Sequence, residues 1–251
     1  MIKTKNHGDI RELQLDRAPV NALNPALTQA LTEAVSQAQN ECAALVISGR
    51  PGMFSAGLDV PELIQLDRAG MKSFWRSFFG LLETVARSEI PVAAAITGHA
   101  PAGGAVVSLF CDYRVMSEGE FVFGLNETQV GLQVPEIIQY ALIRLVGRHR
   151  AERQIVAGSL VSPAEAHASG MIDALAPDPE AAVSAAIDWC RKLLSLPKTA
   201  MLGNRTMLRG DLSEQFDALG EPQVEAFVDG WFEEETQAVM HALVAKLKAR
   251  A

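Results

Sequence analysis

The chain lacks most of what marks a secreted, metal-bound or nucleic-acid-binding protein. It holds three cysteines, Cys42, Cys111 and Cys190, far apart and in no C-x-x-C pair. An odd, scattered set excludes a disulfide framework and reads as buried free thiols in a reducing compartment. Basic residues are outnumbered, 22 Lys and Arg against 30 Asp and Glu, for a net charge of −8. With no basic stripe and no cluster of about four to eight Lys or Arg, neither nucleic acid nor an anionic lipid surface is an expected partner. No apolar run approaches the roughly 20 residues that cross a bilayer. The basic start Met1-Ile2-Lys3-Thr4-Lys5 is not followed by the apolar stretch of a secretory signal. The expectation is a soluble, cytoplasmic protein.

Familiar sites are missing too. There is no G-x-x-x-x-G-K-[ST] phosphate loop, no G-x-G-x-x-G and no G-x-S-x-G nucleophile elbow. His7, His99, His149, His167 and His241 are isolated, with no H-E-x-x-H spacing, so no catalytic metal is expected. An enzyme built from this chain is expected to work without metal, nicotinamide or any other cofactor, and without an obvious serine nucleophile.

What is present is a chain of 251 residues, 49 % of them hydrophobic, with ordinary glycine and proline content. That is enough for a sizeable core in one large or two small domains. Ile10 to Leu15 alternates like a half-buried strand, and Asn24-Pro25 opens a helix through Leu27, Leu31 and Ala34. Ala43 to Ile47 and Pro91 to Ile96 are short, continuously apolar runs, the pattern of parallel strands covered on both faces. Met71 to Ala86 is an amphipathic crossover helix, and further strands are expected at Tyr113 to Met116 and Phe121 to Phe123. Beyond Pro135 apolar residues recur at helical spacing, through Ile137 to Leu145, Arg153 to Ala157, Ala181 to Leu194 and Val224 to Leu247. The predicted architecture is a spiral α/β core over residues 1–180 and a helical C-terminal section over residues 181–251, divided after Pro177-Asp178-Pro179.

Three segments carry candidate chemistry. Phe54-Ser55-Ala56-Gly57-Leu58-Asp59 has small residues that let another molecule approach the main chain; it reads equally as an ordinary loop feeding a helix near Pro61. Gly98 to Gly104, ahead of apolar Val106 to Phe110, puts unpaired N–H groups at a buried helix start, which favours negative charge. With no lysine beside it, a carbonyl oxygen that becomes negative in a transition state fits better than a phosphate. The alternative is that Gly103 and Gly104 only allow close helix-to-strand packing. Phe121 to Thr128 ends an apolar stretch on Glu127, where desolvation would raise its pKa and suit it to carry a proton. Glu127 reads otherwise as a helix-start glutamate beside a capping Asn126.

In order and spacing these segments resemble the crotonase, or enoyl-CoA hydratase and isomerase, superfamily. Pro19-Val20-Asn21-Ala22-Leu23, Cys111-Asp112, Ala164-Glu165-Ala166 and Gly170-Met171-Ile172-Asp173 add to the resemblance, which covers residues 10–210 well. Arg50 to Asp59, Pro101 to Gly104 and Gly124 to Gly131 are most similar to the mitochondrial-type Δ3,Δ2-enoyl-CoA isomerase branch. The resemblance implies an oxyanion hole from the N–H groups of Leu58 and Gly104, with Glu127 as the catalytic carboxylate. It also implies an acyl-CoA substrate lying along Val20, Ala22, Ala56, Gly57, Asp59 and Gly103. Coenzyme A is then part of the substrate and not a cofactor. A homotrimer or dimer of trimers, joined through the C-terminal helices, is implied as well.

Hydratases of this family carry a second glutamate three residues after the oxyanion-hole glycine, and here that position is Val107. The departure favours moving a double bond over adding water. A hydratase drawing its second acid from elsewhere, such as Glu136, and a noncatalytic binding protein on the same scaffold are the rivals. Asp59 and Glu62 flank Pro61, and Glu136 follows Pro135, as helix-start acids do. Phe74, Trp75, Phe78 and Phe79 either line an acyl pocket or pack the core. Lys246, Lys248 and Arg250 read first as a helix C-terminus favoured by the dipole, and second as contacts for a coenzyme phosphate.

Overall fold

A computed structural model describes residues 1–249, so Arg250 lies outside the described residues. Among the described residues nine strands form two sheets: β1 (Ile2–His7), β2 (Ile10–Leu15), β3 (Ala44–Ser48), β4 (Gly52–Met53), β5 (Val92–Ile96), β6 (Gly98–Pro101), β7 (Tyr113–Ser117), β8 (Phe123–Gly124) and β9 (Ala174–Ala176). The larger sheet runs β1-β2-β3-β5-β7-β9 and the smaller β4-β6-β8. Apart from the antiparallel β1·β2 hairpin, every pairing between two of these strands is parallel.

The apolar runs explain the larger sheet. Every residue of β3 and β5 is buried, because alternate side chains serve opposite faces and both faces are covered. Leu45 and Ile47 join Val92, Ala94 and Ile96 in the main core. Val46 joins Ala93, Ala95 and Val115 under Ala182, Ala186 and Ile187. Those last three sit on the Pro179–Leu194 helix, so the first helix after the Pro177-Asp178-Pro179 boundary lies on the outer face of the core sheet. The helix at Asn24-Pro25 starts as expected, with the Leu27 N–H donating to Asn24 Oδ1 at 2.9 Å.

The smaller sheet gives the chain its spiral. Each of β3, β5 and β7 is followed by one short strand of the second sheet and then by a helical segment, so β4, β6 and β8 are successive turns laid side by side. The structure differs from the sequence reading in detail. β1 is an edge strand whose polar Lys3, Thr4, Lys5 and Asn6 are all exposed, so it carries no apolar period. The expected strand at Phe121 to Phe123 shrinks to Phe123–Gly124. Val224 to Leu247 is two helices, Glu221–Trp231 and Glu234–Lys248, interrupted at Phe232 and Glu233.

The C-terminal helices dock on the same chain's core. Trp75 and Phe79 of the Arg68–Ala86 helix pack against Phe227 with ring centroids 5.8 and 5.7 Å apart. Along the rim Arg68 pairs with Asp229, Lys72 with Glu225, and Arg76 with Glu221 at 2.6 Å. These pairs are largely exposed and weakly stabilising. A deeper tie is Asp112, which accepts from the Val92 N–H at 2.8 Å and pairs with Arg205 at 2.9 Å and Arg209 at 3.0 Å. Arg209 also donates to the Phe110 carbonyl at 2.7 Å. Among the described residues, no helix is long and apolar enough to cross a membrane.

Asp112 to Ala would leave two buried guanidiniums without their carboxylate, and loss of one partner of a buried ion pair costs about 3 to 5 kcal/mol. Urea denaturation is expected to show an unfolding free energy lowered accordingly, whereas Arg76 to Ala on the exposed rim is expected to change it by less than about 1 kcal/mol.

Candidate active site

The three candidate segments leave the ends of β4, β6 and β8, and the parallel register of those strands puts the ends side by side. Met53 pairs with His99, and Pro101 with Gly124. Backbone bonds extend the pairing past the strands: the Phe54 N–H donates to the His99 carbonyl at 3.0 Å, and the Ala102 N–H to the Gly124 carbonyl at 2.8 Å.

Glycine sets how near the loops come. Gly57 has φ +88°, and a Cβ there would lie 2.9 Å from Ala102 Cβ and 3.1 Å from the Gly103 nitrogen. A Cβ on Gly104 would lie 2.5 Å from the Ser55 carbonyl oxygen. The loops thus touch main chain to main chain, which only glycine allows. The packing and oxyanion readings of Gly103 and Gly104 are therefore compatible, because the same contact that packs the helix start brings it against Ser55 and Gly57, the residues just before Leu58.

Both candidate amides are unpaired among the described residues. Leu58 sits in an isolated parallel bridge with Leu23, in which the Leu23 N–H donates to the Gly57 carbonyl at 2.7 Å and the Asp59 N–H to the Leu23 carbonyl at 3.0 Å. The Leu58 N–H therefore points away from that partner. Gly104 is the second residue of the Gly103–Leu109 helix, whose first backbone bond runs from the Val106 N–H to the Ala102 carbonyl at 2.9 Å. Its N–H is one of the helix-start donors with no internal acceptor.

Glu127 opens a 3₁₀ turn, Glu127–Val130, directly after β8. Its Oε2 is removed from solvent and has no hydrogen-bond partner among the described residues. Burial pushes its pKa up to about 7 from an ordinary 4.5, opposed only by a backbone hydrogen bond, with no charged neighbour contributing. The capping reading of Asn126 fails: its side chain makes no cap bond, and its Oδ1 is itself buried and unpartnered among the described residues. Val107 is 2 % exposed and belongs to the apolar core. Glu136 is exposed at the first turn of its helix.

The remaining expected residues line the neighbouring loop. The Val20 carbonyl accepts from the Ala56 N–H at 3.0 Å, and the Ala22 carbonyl from Arg17 at 3.0 Å. Asp59 caps the Val60–Leu63 helix and pairs with Arg17 at 2.7 Å. Glu62 binds Arg17 and Asn24. Phe74 and Phe78 are core residues. Asn21 does more than its place in a motif suggests. It is fully buried at φ +50°. Its Nδ2 donates to the Phe54 carbonyl at 3.0 Å, and its carbonyl accepts from Ser55 Oγ at 2.8 Å. An asparagine tolerating the left-handed region was the signal available for this latch.

Residues 5–250 match the family described as Enoyl-CoA hydratase/isomerase. The human protein named Enoyl-CoA delta isomerase 1, mitochondrial, is 29 % identical over 94 % of this chain and 79 % of its own length. The mouse protein of the same name is 28 % identical over 100 % of this chain and 88 % of its own. A probable enoyl-CoA hydratase of Mycobacterium tuberculosis is 31 % identical over 75 % of this chain and 72 % of its own. The crystal structure of human mitochondrial delta3-delta2-enoyl-CoA isomerase superposes with a TM-score of 0.94 at 27 % identity, covering 99 % of this chain and 98 % of that one.

An acid whose pKa is raised by folding binds its proton more tightly in the native state, so its burden on stability grows as pH rises from 4.5 and is complete above about 7. The displacement from 4.5 to about 7 corresponds to about 3 kcal/mol. Glu127 to Gln is therefore expected to be more stable than the parent at pH 8 by up to that amount, and equal to it near pH 4.5. Paired urea titrations at the two pH values check this.

Proposed function

Since the chain belongs to the enoyl-CoA hydratase/isomerase family, we propose that it is an isomerase moving the double bond of 3-enoyl-CoA thioesters to the 2-position. The Glu127 carboxylate removes a proton from C2. The electron pair moves into the thioester, whose oxygen takes negative charge between the N–H groups of Leu58 and Gly104. The dienolate then collapses, the double bond forms between C2 and C3, and the same proton passes from Glu127 to C4. The carboxylate is regenerated.

The observation that carries this reading is the solitude of Glu127. One carboxylate whose Oε2 is buried and unpartnered among the described residues, with burial and no charge raising its pKa and with Val107 in the core, suits a proton moved within the substrate. Water addition needs a group to orient and deprotonate water and a second group to share the proton traffic, and exposed Glu136 is poorly suited to that. A pKa near 7 lets one group act as base and then as acid without a large penalty in either direction. Each oxyanion donor contributes on the order of 3 to 4 kcal/mol to such a step, and a base positioned in this way roughly 10² to 10⁴ in rate. The relatives named as isomerases, matched over 94 % or more of this chain, support the choice, and the net charge of −8 disfavours a noncatalytic nucleic-acid binder. Assembly into a homotrimer or dimer of trimers belongs to the same proposal, supported by the exposed apolar Met207 and Leu208 at 77 % and 73 %.

Purified protein offered 3-enoyl-CoA and 2-enoyl-CoA in parallel is expected to isomerise the first and to hydrate the second at most slowly. Rapid hydration with negligible migration of the double bond overturns the reading. The rate is expected to rise as pH increases through about 7, where Glu127 becomes a carboxylate. Glu127 to Gln is expected to lose nearly all isomerisation while keeping product affinity.

A further inference from the structure

The turn carrying Glu127 has little stability of its own. It is a four-residue 3₁₀ helix without a side-chain cap, a type of element that persists only when its surroundings hold it. It must nonetheless keep the Oε2 of Glu127 out of water, which opposes the fold. Three side-chain bonds, each between residues far apart in sequence, hold it. Thr128 Oγ1 donates to the Ile155 carbonyl at 2.7 Å, and Gln129 Nε2 to the Gly158 carbonyl at 2.8 Å. On the other side Thr236 Oγ1 donates to the Gly131 carbonyl at 2.7 Å.

The third bond comes from the C-terminal Glu234–Lys248 helix. Thr236 is 1 % exposed. Gly131 ends the turn in the left-handed region, and a Cβ there would lie 3.1 Å from Thr236 Cα. One residue further on, the Leu132 N–H donates back to the Glu127 carbonyl at 3.0 Å. The hydroxyl of Thr236 therefore grips the loop where it closes on the backbone of Glu127. The same helix also packs against Val60–Leu63, the element that follows Leu58. One helix braces both halves of the site.

We propose that Thr236 is a positioning residue for Glu127, making the C-terminal helix a working wall of the active site. The inference rests on the reading of Glu127 as the base. A turn released at Gly131 swings, the carboxylate misses its alignment with C2 and C4, and water reaches the proton it carries between them. Substrate binding along the Val20 to Gly57 loops is untouched.

The test is Thr236 to Val, which keeps the shape and removes the hydroxyl, beside Thr236 to Ser, which keeps the hydroxyl. Both are assayed for isomerisation in heavy water. Thr236 to Val is expected to lower kcat at least tenfold with KM within twofold, and to raise solvent deuterium at C4 of the product. Thr236 to Ser is expected to stay within threefold of the parent in kcat and to match its deuterium content. Thermal melting of each variant shows whether it is folded. Parent-like kcat and deuterium in Thr236 to Val overturns the proposal, as does an equal loss in both variants with no change in deuterium. Glu127 to Gln separates the two levels. If it is inactive while Thr236 to Val is normal, only the positioning role falls; if it remains active, the base assignment falls first.

Discussion

The structure depends on one close approach, that of the Ser55–Leu58 loop to the Ala102–Gly104 helix start. With Gly104 lacking a Cβ, the Ser55 carbonyl lies 2.5 Å from where that atom would be. Strands β4 and β6 deliver the two loops in parallel register, and Asn21 holds the first loop, its Nδ2 donating to the Phe54 carbonyl and its own carbonyl accepting from the Ser55 hydroxyl. The strands are too short to be stable as a separate sheet. The larger sheet, whose β3, β5 and β7 feed them in turn, fixes their positions.

Glu127 poses the opposite problem, a group held where folding does not favour it. Its Oε2 is buried without a partner among the described residues, and the turn that carries it is held by bonds from Thr128 to Ile155, from Gln129 to Gly158 and from Thr236 to Gly131. A carboxylate so placed costs stability in proportion to its shifted pKa, and such strain is common where a residue must react.

Much of the frame was legible from pattern alone. Ala43 to Ile47 and Pro91 to Ile96 have no alternation because both their faces are covered, and Asn24-Pro25 starts its helix by local chemistry. The three segments could be named from small residues and a lone carboxylate, and the smaller sheet brings all three to one edge. Other features were hidden for physical reasons. β1 is polar on both sides because it is an edge, so it has no period to read. Asn126 looks like a cap beside Glu127, yet its side chain makes no cap bond to the turn. Thr236 lies 105 positions from Gly131 in sequence, and nothing local distinguishes a threonine that will reach a distant carbonyl from one that faces solvent.

The rim of paired charges between the Arg68–Ala86 and Glu221–Trp231 helices has a consequence for alignment. Arg68, Lys72 and Arg76 recur every four residues, and so do Glu221, Glu225 and Asp229 running the other way. A periodic ladder tolerates slippage, since sliding one helix by a turn still matches two rungs of the three. The aromatic contact has a single ring on one side: Phe227 sits against both Trp75 and Phe79, and a slide by one turn would keep only one of those two contacts. Charge therefore selects the direction in which the tail lies back on the body, and aromatic shape selects the notch.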